Sequence, residues 1–363
     1  MFSFYMPTKV IVGEGCIKDH ADLLRGIGKK ALIVTGRSSA KKNGSLEDVK
    51  GALERIQVAY CIFDEIEENP SLETVQKARD FGTSQKADFI IGIGGGSPID
   101  AAKAIAVMLK NTHLTAGTLI NGESLESVPV IAVPTTAGTG TEVTQYAIVT
   151  DHNAETKKNI GHAVFPKIAF LDANYMKDMS PEITIHTAVD AFSHLVESYL
   201  NVKSNVMSEG LVIEGLKLWG KCIPNLLNQD FNLACRHNLL MASMLGGVAI
   251  AQTGTSLPHG MGYALTYHKG LSHGLANGVL YVAYLRSFKD QTKVQRIHQL
   301  VGLESHEALE KILGALCSVE ITVTKEELEK YTDEMCANKA KLQNHPEPIT
   351  RDEVYSIYEK SFF

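Results

Sequence analysis

No Cys-x-x-Cys pair occurs in this chain; its six cysteines stand apart at positions 16, 61, 222, 235, 317 and 336. That spacing speaks against a sulfur-rich metal site, and in a chain of 363 residues it predicts reduced, mostly buried thiols of a cytoplasmic protein. Basic residues are not in surplus. The 35 Lys plus Arg face 41 Asp plus Glu, a net charge of −6, which argues against nucleic acid or an anionic membrane as partner. Apolar runs are short, Phe89 to Ile93 among the longest, so no membrane span is expected. Met1 to Thr8 holds no basic stretch leading into an apolar segment, and no signal peptide is expected either. Repeats, low-complexity tracts and charge blocks are missing. What is present, 44% hydrophobic and 21% charged residues, is the composition of a globular protein long enough for two domains.

The first half alternates two textures. Ala31–Val34, Tyr60–Phe63, Phe89–Ile93 and Val130–Val133 are short apolar runs, suited to strands buried on both faces of a parallel sheet. Between them lie helical periods: Leu46, Val49, Leu53 and Ile56 share one face, and Thr74 to Lys86 follows a helix-opening Pro70-Ser71. A third helix opens at Ser97 and carries Ala101, Ala102, Ala104, Ile105 and Met108. The alternation predicts a doubly wound α/β domain over residues 1–178. After about Phe170 the strand-like runs stop. Pro181–Leu200, Asn205–Leu227, Asn232–Ala251 and Ala276–Phe288 read as helices, so an all-α domain is expected over residues 179–363.

Two turns carry chemistry in the α/β half. Phe89 to Ile93 runs through Gly94, Gly95, Gly96 and Ser97 into a helix containing Asp100. Glycines let backbone approach a ligand, and the helix start offers unpaired N–H groups to an anion. The turn fits a dinucleotide pyrophosphate, or is merely a flexible strand-to-helix connection; the spacing is not that of the Rossmann fingerprint. Val133 leads into a second turn whose hydroxyls, Thr135, Thr136, Thr139 and Thr141, are expected in the same crevice at the carboxyl ends of the strands.

The helical half holds the metal candidates. Asp190 and His194 lie four residues apart, on one helix face. Both are ligands for a divalent transition metal, although such a pair is more often a helix staple. His259 and His273 are each followed by glycine and set among apolar residues; one such histidine is usually a hydrogen-bonded core residue. An Asp and three His suit a four-ligand site with room for a substrate oxygen. Spacing alone does not bring them together.

Taken in order, these stretches resemble the iron-containing, or group III, alcohol dehydrogenase family. The match rests on Gly94 to Lys103, Pro134 to Glu142, Asp190-x-x-x-His194, and His259 with His273 fourteen residues later, and it extends from Tyr5-Met-Pro-Thr almost to the C-terminus. The resemblance implies a dehydroquinate synthase-like fold: an N-terminal dinucleotide-binding α/β domain, an all-α C-terminal domain and a metal in the cleft between them. It implies a hydride transfer between NAD(P) and a small primary alcohol, diol or aldehyde. Asp190, His194, His259 and His273 would be ligands of Fe(2+), with Zn(2+) possible in the same site. Gly94 to Ser97 would hold the pyrophosphate, with Asn69, Asp100, Thr135, Thr136, Thr144 and Lys157 around the cofactor. A homodimer is expected.

Three positions depart from the family's pattern. Where many members carry an acidic residue for the adenosine ribose, this chain has Gly36, followed by Arg37, Ser38, Ser39, Lys41 and Lys42. Cations and hydroxyls in place of a carboxylate suit a 2′-phosphate and predict NADP over NAD. Tyr263 stands where some members have a proton-relaying histidine, which leaves water, a cofactor hydroxyl or His268 for that task beside the catalytic His259. Ala264 replaces a common proline. Three other functions share parts of this pattern. A dehydroquinate synthase-like lyase would need a basic substrate pocket, and no matching Lys/Arg set stands near His259 and His273. Glycerol dehydrogenase, a cousin, fits less well in its acidic ligand and flanking motifs. A noncatalytic NADP-binding sensor would have no use for an open metal position.

Overall fold

The computed structural model describes residues 1–120 and 125–363. It divides into two compact units, Met6–Met179 and Ser180–Phe363, with Met1–Tyr5 belonging to the second. Those first residues were expected in the α/β half. Instead the Tyr5 N–H donates to Gln252 Oε1 and its carbonyl accepts from Gln252 Nε2, both at 2.9 Å.

In the first unit the chain runs β1 (Lys9–Val12), α1 (Cys16–Asp19), β2 (Lys30–Thr35), α2 (Ser39–Lys42), α3 (Ser45–Arg55), β3 (Ala59–Phe63), α4 (Leu72–Ser84), β4 (Phe89–Gly94), α5 (Gly96–Lys110), β5 (Val130–Pro134), β6 (Ile148–Asp151), β7 (Thr156–Asn159) and β8 (Ile168–Leu171). Six of these strands form a parallel sheet in the order β1-β8-β5-β4-β2-β3, while β6 and β7 form an antiparallel hairpin. Alternate residues of the central strands serve different cores. Leu32, Val34 and Ile90 pack with α4 and α5; Ala31, Ile33, Phe89 and Ile91 pack with α1 and α3. A Cβ on Gly92 would lie 2.9 Å from the Ala102 Cβ, so this small pair lets α5 rest directly on β4. The strand order reverses beside β2 and β4, the switch point where open α/β sheets bind ligands at the carboxyl ends of their strands.

β1, β8 and the β6–β7 hairpin were not read from the sequence. β1 is an edge strand with a partly exposed pattern, and β8 is a four-residue run with no long helical period behind it. Helix starts are better marked. The Ser71 hydroxyl accepts from the Thr74 N–H at the head of α4, a cap worth about 1 kcal/mol.

The second unit holds, among the described residues, α6 (Pro181–Leu200), α7 (Val206–Gly220), α8 (Ile223–Asn228), α9 (Leu233–Thr253), α10 (Leu257–Lys269), α11 (His273–Gly278), α12 (Tyr281–Ser287), α13 (Thr292–Leu300), α14 (His306–Leu316), α15 (Lys325–Ala337), α16 (Lys339–Asn344) and α17 (Arg351–Phe362). Two expectations are corrected. The single helix read over Asn205–Leu227 breaks before Ile223, where Pro224 starts a new helix in its first turn. The helix read over Ala276–Phe288 is two, and the first already begins at His273. α9 is long and apolar enough to cross a membrane by composition alone, yet 61% of its most apolar stretch is buried. It packs on α6 and α7. Gly246 makes this close: a Cβ there would stand 3.3 Å from His194 Cβ.

Candidate functional site

α6 begins at Ser180, whose hydroxyl accepts from the Ile183 N–H, with Pro181 in the first turn. Asp190 and His194 follow on one face and are buried. α10 starts after Ser256 and presents His259 in its first turn; α11 opens with His273. The glycine after each histidine has a packing reason. A Cβ on Gly274 would collide with the His186 carbonyl oxygen and lie 3.1 Å from Asp190 Cβ, so α11 touches the backbone of α6. A Cβ on Gly260 would collide with Met335 Sδ.

Three of the four expected side chains, Asp190, His259 and His273, bring their ligand atoms together, and His194 reaches them through its ring. Asp190 Oδ1 lies 3.6 Å from His259 Nε2 and 3.7 Å from His273 Nε2. One ligand atom each from Asp190, His259 and His273 falls within a mutual 4.8 Å. The His194 ring stacks on that of His259, centroids 4.4 Å apart. Two ligands bonded to one ion at 2.0–2.2 Å in tetrahedral geometry stand about 3.4 Å apart, so these separations suit a shared cation. His259 Nε2 is buried and makes no hydrogen bond, since Asp190 is too far for one. Burial by itself would raise the Asp190 carboxyl, but the charges of His194 and His273 beside it outweigh that and hold it well below the usual carboxylate range. The His273 side chain is 23% exposed against 4% for His259, which makes it the open flank of the cluster.

Two residues that sequence reasoning passed over complete this cluster. Glu197 Oε1 lies 2.6 Å from His259 Nδ1. The buried Asn277 amide stands 3.3 Å from Asp190 Oδ1 and 3.4 Å from His273 Nε2. For Glu197 a signal was present: with Asp190 and His194 it continues the same helix face at i, i+4, i+7.

In the α/β unit the two turns touch. β4 and β5 end in register, Gly94 opposite Pro134, and the Thr135 N–H donates to the Gly94 carbonyl at 2.8 Å. Gly94 adopts φ +149°, open to glycine, and a Cβ there would meet Pro98. Cβ atoms on Gly95 and Gly96 would stand 3.0 Å from Thr136 Oγ1 and 2.7 Å from Thr139 Cγ2. The Ser97 hydroxyl accepts from the Asn69 N–H at 3.0 Å, and the Asn69 carbonyl accepts from the Thr150 hydroxyl at 2.8 Å. Asp100 accepts from the Thr141 hydroxyl at 2.5 Å and the Ile148 N–H at 3.0 Å.

Beneath them lies Lys103, fully buried. Its ammonium reaches the carbonyls of Thr141, Thr144 and Tyr146 at 2.7, 2.8 and 2.7 Å. Burial pulls its pKa down to about 8, opposed by Asp100 and Glu142, so it still carries its proton at neutral pH. One buried cation thus gathers the second turn onto α5. Lys157 is buried on β7 with its charge acting on Asp100, whereas its neighbour Lys158 pairs with Asp151 at 3.0 Å.

Gly36, Ser38 and Ser39 follow β2, the neighbour of β4. Lys41, on the short α2 that follows, pairs with Asp64 at 2.5 Å. His268 is not brought to the metal candidates. It lies nine residues beyond His259 on α10, about 13 Å along the axis, where its ring stacks on Tyr331 and faces Glu334. Tyr263 does reach them, its ring stacked beside His273 at 6.2 Å.

A parallel sheet with paired turns at its switch point is the architecture of dinucleotide-binding enzymes, and buried carboxylate and imidazole donors are what a divalent metal requires. The class so defined is a metal- and dinucleotide-using enzyme with a dehydroquinate synthase-like fold. Comparison with known proteins makes this specific. Residues 7–173 match the model of iron-containing alcohol dehydrogenases, and residues 184–362 match that of the family's C-terminal domain. An iron-containing alcohol dehydrogenase from Thermotoga maritima is 41% identical, with a TM-score of 0.93 over 100% of this chain and 99% of that one. An NADPH-dependent butanol dehydrogenase from Clostridium saccharobutylicum is 25% identical over 100% of this chain and 98% of its own. A 1,3-propanediol dehydrogenase from Klebsiella pneumoniae is 28% identical over 99% and 97%. The chain belongs to the iron-containing alcohol dehydrogenase family. Its reaction class is metal-dependent hydride transfer between an alcohol or aldehyde and a nicotinamide cofactor.

Proposed function

We propose that Asp190, His194, His259 and His273 hold one divalent ion, ferrous iron with zinc acceptable to the same donors. The substrate is then a small primary alcohol, diol or aldehyde, and NADP is preferred to NAD. The observation that carries the metal reading is the convergence of three ligand atoms within 4.8 Å around a buried His259 Nε2 that has no hydrogen bond. When bound, the ion supplies Lewis acidity to the substrate oxygen, and the nicotinamide takes or gives the hydride. Asp190 would bring the only negative charge among the four donors and so would leave a divalent ion with a net positive charge. Gly94 to Ser97 and Thr135 to Thr139 offer N–H and hydroxyl groups to the cofactor phosphates. With His268 stacked on Tyr331 instead, water or a cofactor hydroxyl would be left to take the substrate's proton.

Support for NADP comes from the loop after β2. Gly36 leaves no carboxylate there, Arg37, Ser38, Ser39 and Lys42 are exposed, and the nearby Asp64 is neutralised by Lys41. Six free thiols fit a reducing cytoplasm. The test of the site is metal uptake by dialysed protein. Wild type should bind one Fe(II) or Zn(II) per chain, and His259→Ala should bind it more weakly by over roughly 100-fold, beyond the cost of losing a mere supporting group. Equal uptake by the two would refute the ligand set.

A further inference from the structure

We propose that Glu197 is the positioning residue of this centre: its carboxylate fixes His259 with Nδ1 protonated and Nε2 turned toward the metal, and thereby sets metal affinity. The inference rests on the metal reading above. Glu197 is fully buried, one turn beyond His194 on α6. An ionised carboxylate only accepts hydrogen bonds, so the 2.6 Å contact with His259 Nδ1 requires the proton to lie on that nitrogen. The lone pair is then on Nε2, the atom that faces Asp190.

The carboxylate is itself held from several sides. Oε2 accepts from the Ser256 N–H at 2.5 Å, at the mouth of the same helix that carries His259. The Tyr281 hydroxyl lies 2.9 Å from Oε1 and equally 2.9 Å from the Ser193 carbonyl, its one proton shared between them. Lys341, bonded to the Thr255 hydroxyl, adds a positive charge nearby. The Ser256 N–H and the Tyr281 hydroxyl thus both point protons at this carboxylate, leaving it the role of acceptor. A buried ion pair is a costly way to tie two helices when apolar packing would serve. A carboxylate behind an imidazole ligand has a use that a tie does not: it raises ligand basicity and locks the tautomer.

The experiment is competition for Zn(II) between folded apoprotein and a chromophoric chelator, with the apoprotein melting temperature measured alongside. Glu197→Gln keeps the size and an accepting oxygen but loses the charge. Zinc affinity should fall roughly 10- to 100-fold while the variant remains folded. Affinity equal to wild type, even with a lowered melting temperature, would reduce Glu197 to a helix tie and overturn the inference alone. Wild type that takes up no zinc would overturn the metal reading and this inference with it. Should Glu197→Gln fail to fold, Tyr281→Phe decides: it strips one donor from the carboxylate, and a several-fold loss of affinity supports the role, whereas none refutes it.

Discussion

Glu142 is buried beside Lys103, and its carboxyl is pushed up to about 7, with burial outweighing its backbone hydrogen bond and the lysine's charge. The ordinary value is 4.5, so between that and about 7 the folded protein binds more protons than the unfolded chain. Stability from this group is therefore full below the ordinary value and is lost as pH rises through the folded one. Glu142→Gln cannot ionise and escapes that loss. Relative to wild type, its melting temperature should rise between pH 5 and pH 8, by about 2–4 °C for each kcal/mol recovered. A difference that stays flat with pH would contradict the assignment. At this scale the sequence was most legible where residue type restricts chemistry: an Asp and three His are metal donors wherever they converge. It was least legible for groups that act through another residue. Glu197 and Asn277 are ordinary polar types, and His268 looked available only because the helix that removes it could not be seen.

The two turns behave as one element. Gly96 lies so close to Thr139 that an added methyl must displace the Thr139 side chain in the second turn. Gly96→Ala should raise KM for the nicotinamide cofactor roughly tenfold, or 1.4 kcal/mol, and leave metal content unchanged. An unchanged KM would detach that turn from the cofactor. The loop after β2 makes its own prediction. The ratio of kcat/KM for NADPH over NADH should exceed one by roughly tenfold or more, given the exposed Arg37 and hydroxyls, and a clear NADH preference would refute it. Strands buried on both faces, such as β2 and β4, announced themselves as continuous apolar runs. The edge strand β1 did not, because half-exposed edges lack that signature. Helix breaks at Pro224 and after Gly278 were hidden by apolar continuity across them.

For the whole molecule, the chemistry is divided between two compact units. The candidate cofactor turns belong to Met6–Met179, and the four metal candidates to Ser180–Phe363. What the sequence conveyed at this level was the order of motifs along the chain, enough for a family resemblance and a reaction class. It did not convey how Lys103 ties the two turns or how Gly274 seats His273, because those facts are contacts between distant segments. The division implies that removing the metal abolishes turnover while the α/β unit keeps its fold. The most direct test is NADPH consumption with a short aldehyde, measured on protein stripped by a chelator and then resupplied with Fe(II) or Zn(II). The account predicts that activity vanishes on stripping and returns with one of the two ions. Activity indifferent to the chelator would contradict it.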